Sequence, residues 1–322
     1  MDLLLIFNSR GFDVGKRSKK PKTQVNKIIW RNMNFSNLGM ASDFKIVNAS
    51  LEDINFFLSL AKTEGWNPGL CDAIPFYSTD PNGFFIGIIG EKKIGCVSSV
   101  AYNSNFGFLG FYIVIPEYRG QGYGIQLWNK AIEYLGNRVI GLDGVIAQQE
   151  NYKKSSFKFY YRNIRFEGKS SNFSTISTSS SLIELNKIPF ETLLKYDSEV
   201  FGLNREIFLN NWISMPNSLS LAKMDRDRLV GFGLIRSCVD GYKIGPLFAD
   251  NLEIATEIYN ELSSKIPKGP IFLDVPEINL NALKLAENAK FTKVFETARM
   301  YTKPPPKQYL NKIYGVSTFE LG

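Results

Sequence analysis

Arg119-Gly120-Gln121-Gly122-Tyr123-Gly124 sets three glycines in five positions behind an arginine. An apolar, β-branched run over 108–115 precedes it and ends at Pro116, which cannot donate to a sheet ladder. Beyond it Ile125, Trp128, Ile132 and Leu135 recur at helical spacing. A glycine-rich turn that opens a helix is an anion site: the first helical amides lack intrahelical partners and the dipole is positive there. Glycine lets a phosphate approach those amides closely. The plain alternative is a tight strand-to-helix turn without a ligand. The P-loop signature fails, because Gly124 is followed by Ile125 and Gln126 rather than by lysine and a hydroxyl residue. The dinucleotide fingerprint fits weakly: its sixth position is Ile125, although Asp143 falls where a ribose-facing acid is expected.

The sequence contains no histidine. Ser-His-Asp and Cys-His catalysis and His-based zinc sites are therefore excluded, and any acid or base must be a carboxylate, Tyr, Lys, Cys, a terminal amine or water. Cys71, Cys96 and Cys238 form no C-x-x-C pair, so free thiols and a reducing compartment are expected. No ligand cluster suggests a metal. No stretch reaches the ~18–20 apolar residues of a membrane span, and the short apolar run over 3–7 follows Asp2 rather than positive charge. The expectation is a cytoplasmic protein with no membrane partner. Oligomeric state is not legible.

Residues 1–40 hold eight basic and two acidic residues, so they account for +6 of the net +7. The rest is nearly neutral, and no nucleic acid is expected to bind the folded body. The basic stretch is read as a solvated arm over 1–42, with Met33 or Met40 as the natural start. At 322 residues and 44% hydrophobic the chain suits two domains, and the element order repeats. In the first half "FKIVNAS" reads as a strand and "LEDINFFLSLAKTEG" as a helix. A hairpin turns at Gly90-Glu91-Lys92-Lys93, followed by the glycine-loop unit, and "LDGVIAQ" is a further strand. "SSFKFYYRNI" reads as a helix with Phe157, Tyr160, Tyr161 and Ile164 on one face, and "RFEGKS" as a closing strand. A Ser-rich linker spans 173–182. The second half repeats strand, helix, strand meander, helix over 252–265, strand, helix and strand. Its counterpart of the loop, Ala249-Asp250-Asn251, has neither arginine nor glycines.

Arg119-x-x-Gly122-x-Gly124 after a proline-ended strand resembles the acetyl-coenzyme A motif of the GNAT N-acetyltransferase superfamily. Tyr161-Arg-Asn-Ile-Arg165-Phe166 is similar to that family's Tyr-x-x-x-Gly-Phe ending, with Arg165 in place of glycine. The duplicated half and the closing "ETARMYT…YGVSTFELG" resemble tandem GNAT proteins with a degenerate second domain. The resemblance implies an α/β (α+β) fold of two GNAT-like domains, each a mixed, mostly antiparallel twisted sheet flanked by helices. The first, over 43–172, would bind acetyl-CoA; the second, over 183–322, lacks the phosphate loop. The resemblance further implies that amides of Gly120, Gln121, Gly122, Tyr123 and Gly124, with Arg119 at the rim, hold the cofactor diphosphate. Ile113, Val114 and Ile115 would pair with the pantetheine arm, Asn151 would touch the cofactor, and Tyr161 would protonate the departing thiolate.

The implied reaction is direct attack of a small-molecule primary amine on the thioester. Glu64, Asp72, Asp80, Asp143, Glu150 and water all remain open as the base. The stretch "EGWNPGLCDAIPFYSTDPNGFF" would roof the acceptor pocket. A non-catalytic, coenzyme A-responsive binding module stays open as the second function class.

Overall fold

A computed structural model describes residues 43–169 and 182–322. The expected basic arm over 1–42, and nearly all of the expected linker over 173–182, lie outside the described residues. The first half runs β1 (Phe44–Asn48), α1 (Ile54–Thr63), α2 (Ala73–Thr79), β2 (Phe84–Ile89), β3 (Lys92–Ala101), β4 (Phe106–Val114), α3 (Tyr123–Leu135), β5 (Val139–Val145), α4 (Gln149–Lys154) and β6 (Lys158–Lys169). The second half runs β7 (Leu182–Glu184), α5 (Phe190–Phe201), α6 (Glu206–Ile213), β8 (Ser218–Asp225), β9 (Arg228–Ser237), β10 (Tyr242–Ala249), α7 (Leu252–Ser264), β11 (Pro270–Pro276), α8 (Leu280–Asn288), β12 (Thr292–Tyr301) and β13 (Ile313–Gly315). Helix α3 packs Leu127, Trp128, Ala131 and Leu135 against the sheet, while Ile125 faces solvent. The apolar face is thus turned slightly from the one read in the sequence.

The two halves share one mostly antiparallel sheet in the order β1-β2-β3-β4-β5-β12-β6-β11-β10-β9-β8-β7. Its centre is a reciprocal exchange of closing strands. β12 of the second half pairs with β5 of the first, and β6 of the first pairs with β11 of the second. The two exchanged strands pair with each other along the middle. Buried ion pairs lock the exchange, Arg299 on Asp143 and Arg165 on Asp274, and a third, Arg236 on Asp72, ties β9 to the start of α2; each arginine grips its carboxylate through two nitrogens. Fork-shaped guanidinium pairing of this kind fixes geometry as well as charge.

One expected helix does not form. Helix α4 covers only six residues, the chain turns through Ser156 at φ +68°, and "KFYYRNIRFEGK" is strand β6. Tyr161, Asn163 and Arg165 are buried at alternate positions, which is strand periodicity. The aromatic spacing admits a helix, but pairing on both edges, with β11 and β12, decides for the strand.

Each half contains one parallel strand pair that splays apart. In the first half β4 and β5 pair only from Phe106↔Val139 to Leu109↔Leu142, after which their ladder ends. At the same level β4 bulges, Phe111 and Tyr112 standing opposite Val97 alone, with Phe111 at φ +46°. A bulge with a non-glycine residue in the left-handed region re-aims the strand and stores local strain. In the second half the corresponding pair, β10 and β11, is joined from Tyr242↔Ile271 to Ile244↔Leu273. There the gap is filled: β13 pairs with β10, and the Val316 amide donates to the Asp274 carbonyl on β11 at 2.8 Å.

Candidate active site

The open splay of the first half forms a cavity of about 510 Å³. One wall is β4 from Leu109 to Val114 and the other is β5 from Leu142 to Val145. The floor at one end is the glycine loop, with Arg119, Gly120, Gly122 and Gly124 on the surface of the cavity. Gly120 and Gly122 stand at φ +79° and +81°, a conformation strained for any residue with a Cβ. Gly122 is the N-cap of α3 and supplies no side chain to its amides, and no acidic residue stands in the first turn. Those amides are a ready anion site. Helix α7, the counterpart in the second half, is instead capped by Asn251, whose side chain accepts from the Ile254 amide at 3.0 Å.

Of the expected cofactor residues, Ile113, Val114, Arg119, Gly120, Gly122, Gly124 and Asn151 line this cavity. Ile115, Gln121 and Tyr123 do not. The Gln121 side chain donates back to the Glu117 carbonyl, and the buried Tyr123 ring packs on Phe44. Arg119 is folded over the end of β4, donating from Nε to the Val114 carbonyl at 2.7 Å and from Nη2 to Glu64.

Tyr161 is placed elsewhere. It sits on β6 rather than on a helix, 6.0 Å from the Arg299 guanidinium, and borders a separate void of about 10 Å³. Two tyrosines do line the cavity, Tyr112 on β4 and Tyr152 of α4. Tyr152-Lys-Lys-Ser-Ser156-Phe157 has the same spacing as the stretch that begins at Tyr161, and Ser156 holds the left-handed position after a helix where glycine is usual. Tyr152 stacks on Trp128 with ring centroids 5.5 Å apart. Burial, with a smaller contribution from Tyr112, pushes its phenol well above the ordinary tyrosine range, so it is protonated at neutral pH.

The candidate bases separate on their partners. Asp72 is committed to Arg236 and the Gly69 amide, and Asp80 to Tyr134 and the Ala101 amide. Neither lines the cavity. Exposed Glu150 pairs with Lys153. Asp143 and Glu64 do line it, but Asp143 is held by Arg299 and Asn163, and Glu64 by Arg119. The remaining wall comes from the second half and had no signal in the sequence: Phe295 and Thr297 from β12, and Phe319 and Glu320 from the segment after β13. Arg165, still paired to Asp274, lies 4.8 Å from the Phe319 ring and donates to the Trp66 carbonyl, bracing the aromatic wall.

Comparison with known proteins places these features in a family. A model described as "Acetyltransferase (GNAT) family" matches residues 51–164, and one described as "Acetyltransferase (GNAT) domain" matches 193–315. Holothin acyltransferase of Pseudoalteromonas sp. (strain SANK 73390) is 30% identical over 275 residues, which is 85% of this chain and 93% of that relative. An uncharacterized N-acetyltransferase of Bacillus subtilis (strain 168) is 25% identical over 196 residues, 61% of this chain and 66% of that protein. Among solved structures, a proposed acetyltransferase of Pyrococcus horikoshii superposes with a TM-score of 0.75 at 24% identity, covering 89% of this chain and 98% of the other. A tandem GNAT protein from the clavulanic acid biosynthesis pathway shares the fold at a TM-score of 0.56 and 10% identity, covering 82% and 100%.

Proposed function

Since the chain belongs to the GNAT acetyltransferase family, we propose that it moves an acetyl group from acetyl-CoA to a primary amine of a small molecule. The observation that carries this reading is the open splay between β4 and β5, which runs from the uncapped amides of α3 to a strained bulge at Phe111. An extended pantetheine arm suits the edge of β4 as an added strand would, and the diphosphate suits the amides at Gly120–Gly124. The thioester then lies at the narrow end, where a backbone N–H of the bulge polarises its carbonyl.

The amine nitrogen forms a bond to the carbonyl carbon, the carbon–sulfur bond breaks, the thiolate takes a proton from Tyr152, and the proton shed by the new amide nitrogen returns through water to the Tyr152 phenolate. Burial keeps that phenol protonated at neutral pH, so a proton is in place for the departing thiolate. A relative named for acylating holothin supports acyl transfer as the activity. The test gives the purified protein acetyl-CoA and a panel of primary amines, reading coenzyme A release and product mass together. An N-acetyl product is expected. Saturable acetyl-CoA binding without acyl product across the panel would favour the binding-module reading instead.

A further inference from the structure

The segment after β13 ties the two splays together. Ile313–Gly315 fills the gap of the second half, and the chain then runs directly to the narrow end of the open one. There the backbone of Glu320 lies on Gly110: a Cβ at Gly110 would stand 2.2 Å from the Glu320 carbonyl oxygen. Gly110 is the first residue of β4 beyond its last pairing with β5 and directly precedes the bulge at Phe111. Glu320 is therefore held at the end of the cavity opposite the phosphate loop, and the residue is 5% exposed.

Its carboxylate differs from every other acid on the cavity. Glu64 and Asp143 each face an arginine, whereas Glu320 forms no ion pair among the described residues. One oxygen, Oε2, accepts the Thr318 hydroxyl. The guanidiniums of Arg165 and Arg236 interact favourably with it at longer range, but both are bound to their own aspartates, Asp274 and Asp72. A buried carboxylate without a bonded cation is costly to fold around. The surrounding wall is apolar and aromatic: Trp66, Phe111, Phe295 and Phe319.

We infer that Glu320, delivered by the second half, receives the ammonium group of the acceptor and takes its proton, and that the acceptor is a primary amine on a compact apolar body. This rests on the acyltransferase reading above. Thr318 orients the carboxylate through Oε2 and leaves Oε1 for the ammonium. One proton passes from nitrogen to Glu320, the freed lone pair attacks the thioester, and the proton leaves Glu320 for solvent as the product departs. The second half is thereby a structural part of the acceptor site, which explains why its own splay is closed by the strand that leads to Glu320.

The test compares Glu320→Gln with the unaltered protein on two acceptors: benzylamine, an ammonium ion at neutral pH, and aniline, which is neutral there. Acetyl-CoA affinity and thermal melting are measured alongside. Glu320→Gln is expected to lower kcat/KM for benzylamine about 100-fold or more at pH 7. The loss should shrink roughly tenfold per pH unit as the pH rises toward the ionisation of the amine. Aniline turnover should change by less than about fivefold, and Glu320→Asp should restore part of the benzylamine rate. Equal losses on both amines at every pH, or full benzylamine turnover by Glu320→Gln, overturn the inference. If the unaltered protein acetylates other amines but neither of these, the apolar-body assignment is overturned. Absence of acetyl-CoA binding by the unaltered protein would instead remove the acyltransferase reading itself.

Discussion

Gly122→Ala isolates the phosphate loop from everything around it. Gly122 stands at φ +81° with nothing within 4 Å of where a Cβ would lie, so alanine meets no neighbour and only the backbone conformation is penalised. That penalty is about 1–2 kcal/mol. In a chain of this size it lowers the melting temperature by about 2–8 °C, at 2–4 °C per kcal/mol. The loop relieves the strain by rotating the first amides of α3 away from their shared focus. Losing one amide-to-phosphate bond, worth about 1.5–3 kcal/mol when one partner is charged, weakens coenzyme A binding about 10- to 100-fold. Titration calorimetry with coenzyme A and, separately, with pantetheine reads this directly. Pantetheine lacks the diphosphate, so its affinity should stay within about twofold of the unaltered protein. Unchanged coenzyme A affinity, or an equal loss for both ligands, would refute the placement of the diphosphate on these amides.

Tyr152→Phe should lower turnover about 100-fold with acetyl-CoA affinity retained, while Tyr161→Phe should leave turnover nearly intact; steady-state rates of the two variants decide between them. Calorimetry should find one coenzyme A per chain, because β13 occupies the splay of the second half, and a second equivalent site would contradict this. Asp274→Asn leaves the buried Arg165 unpaired and should cost about 3–5 kcal/mol in urea unfolding. Burial opposes the Asp274 charge, but Arg165 and the neighbouring cations outweigh it and hold this carboxyl below the ordinary aspartate range. Its stabilising contribution is thus complete above about pH 4, the unfolded value, and is lost as the pH falls through the lower folded value. Acid-unfolding curves of Asp274→Asn should be correspondingly flatter below that pH.

The glycine loop was legible because its chemistry is local. Pro116, the three glycines and the helical run after them specify strand, turn and helix without help from distant residues. Helices α5 and α7 were legible for the same reason, since their apolar spacing is regular. What escaped reading depends on long-range pairing. The stretch from Phe157 to Ile164 satisfies helical spacing, and only the two partner strands from the other half make it a strand. The reading of Tyr161 followed from that: two tyrosine–phenylalanine pairs share one spacing, and Tyr152, before the left-handed turn at Ser156, lines the cavity whereas Tyr161 does not. Phe295, Thr297, Phe319 and Glu320 could not be found at all. They reach the cavity through the strand exchange and the closing segment, more than a hundred residues from the loop they face.

A crystal structure of the protein with coenzyme A bound tests the central claim most directly. The account predicts the diphosphate on the amides at the start of α3 and the pantetheine arm between β4 and β5, with its sulfur near Gly110 and Glu320. Density for the ligand in the second half, or on the first half outside the splay, would contradict it.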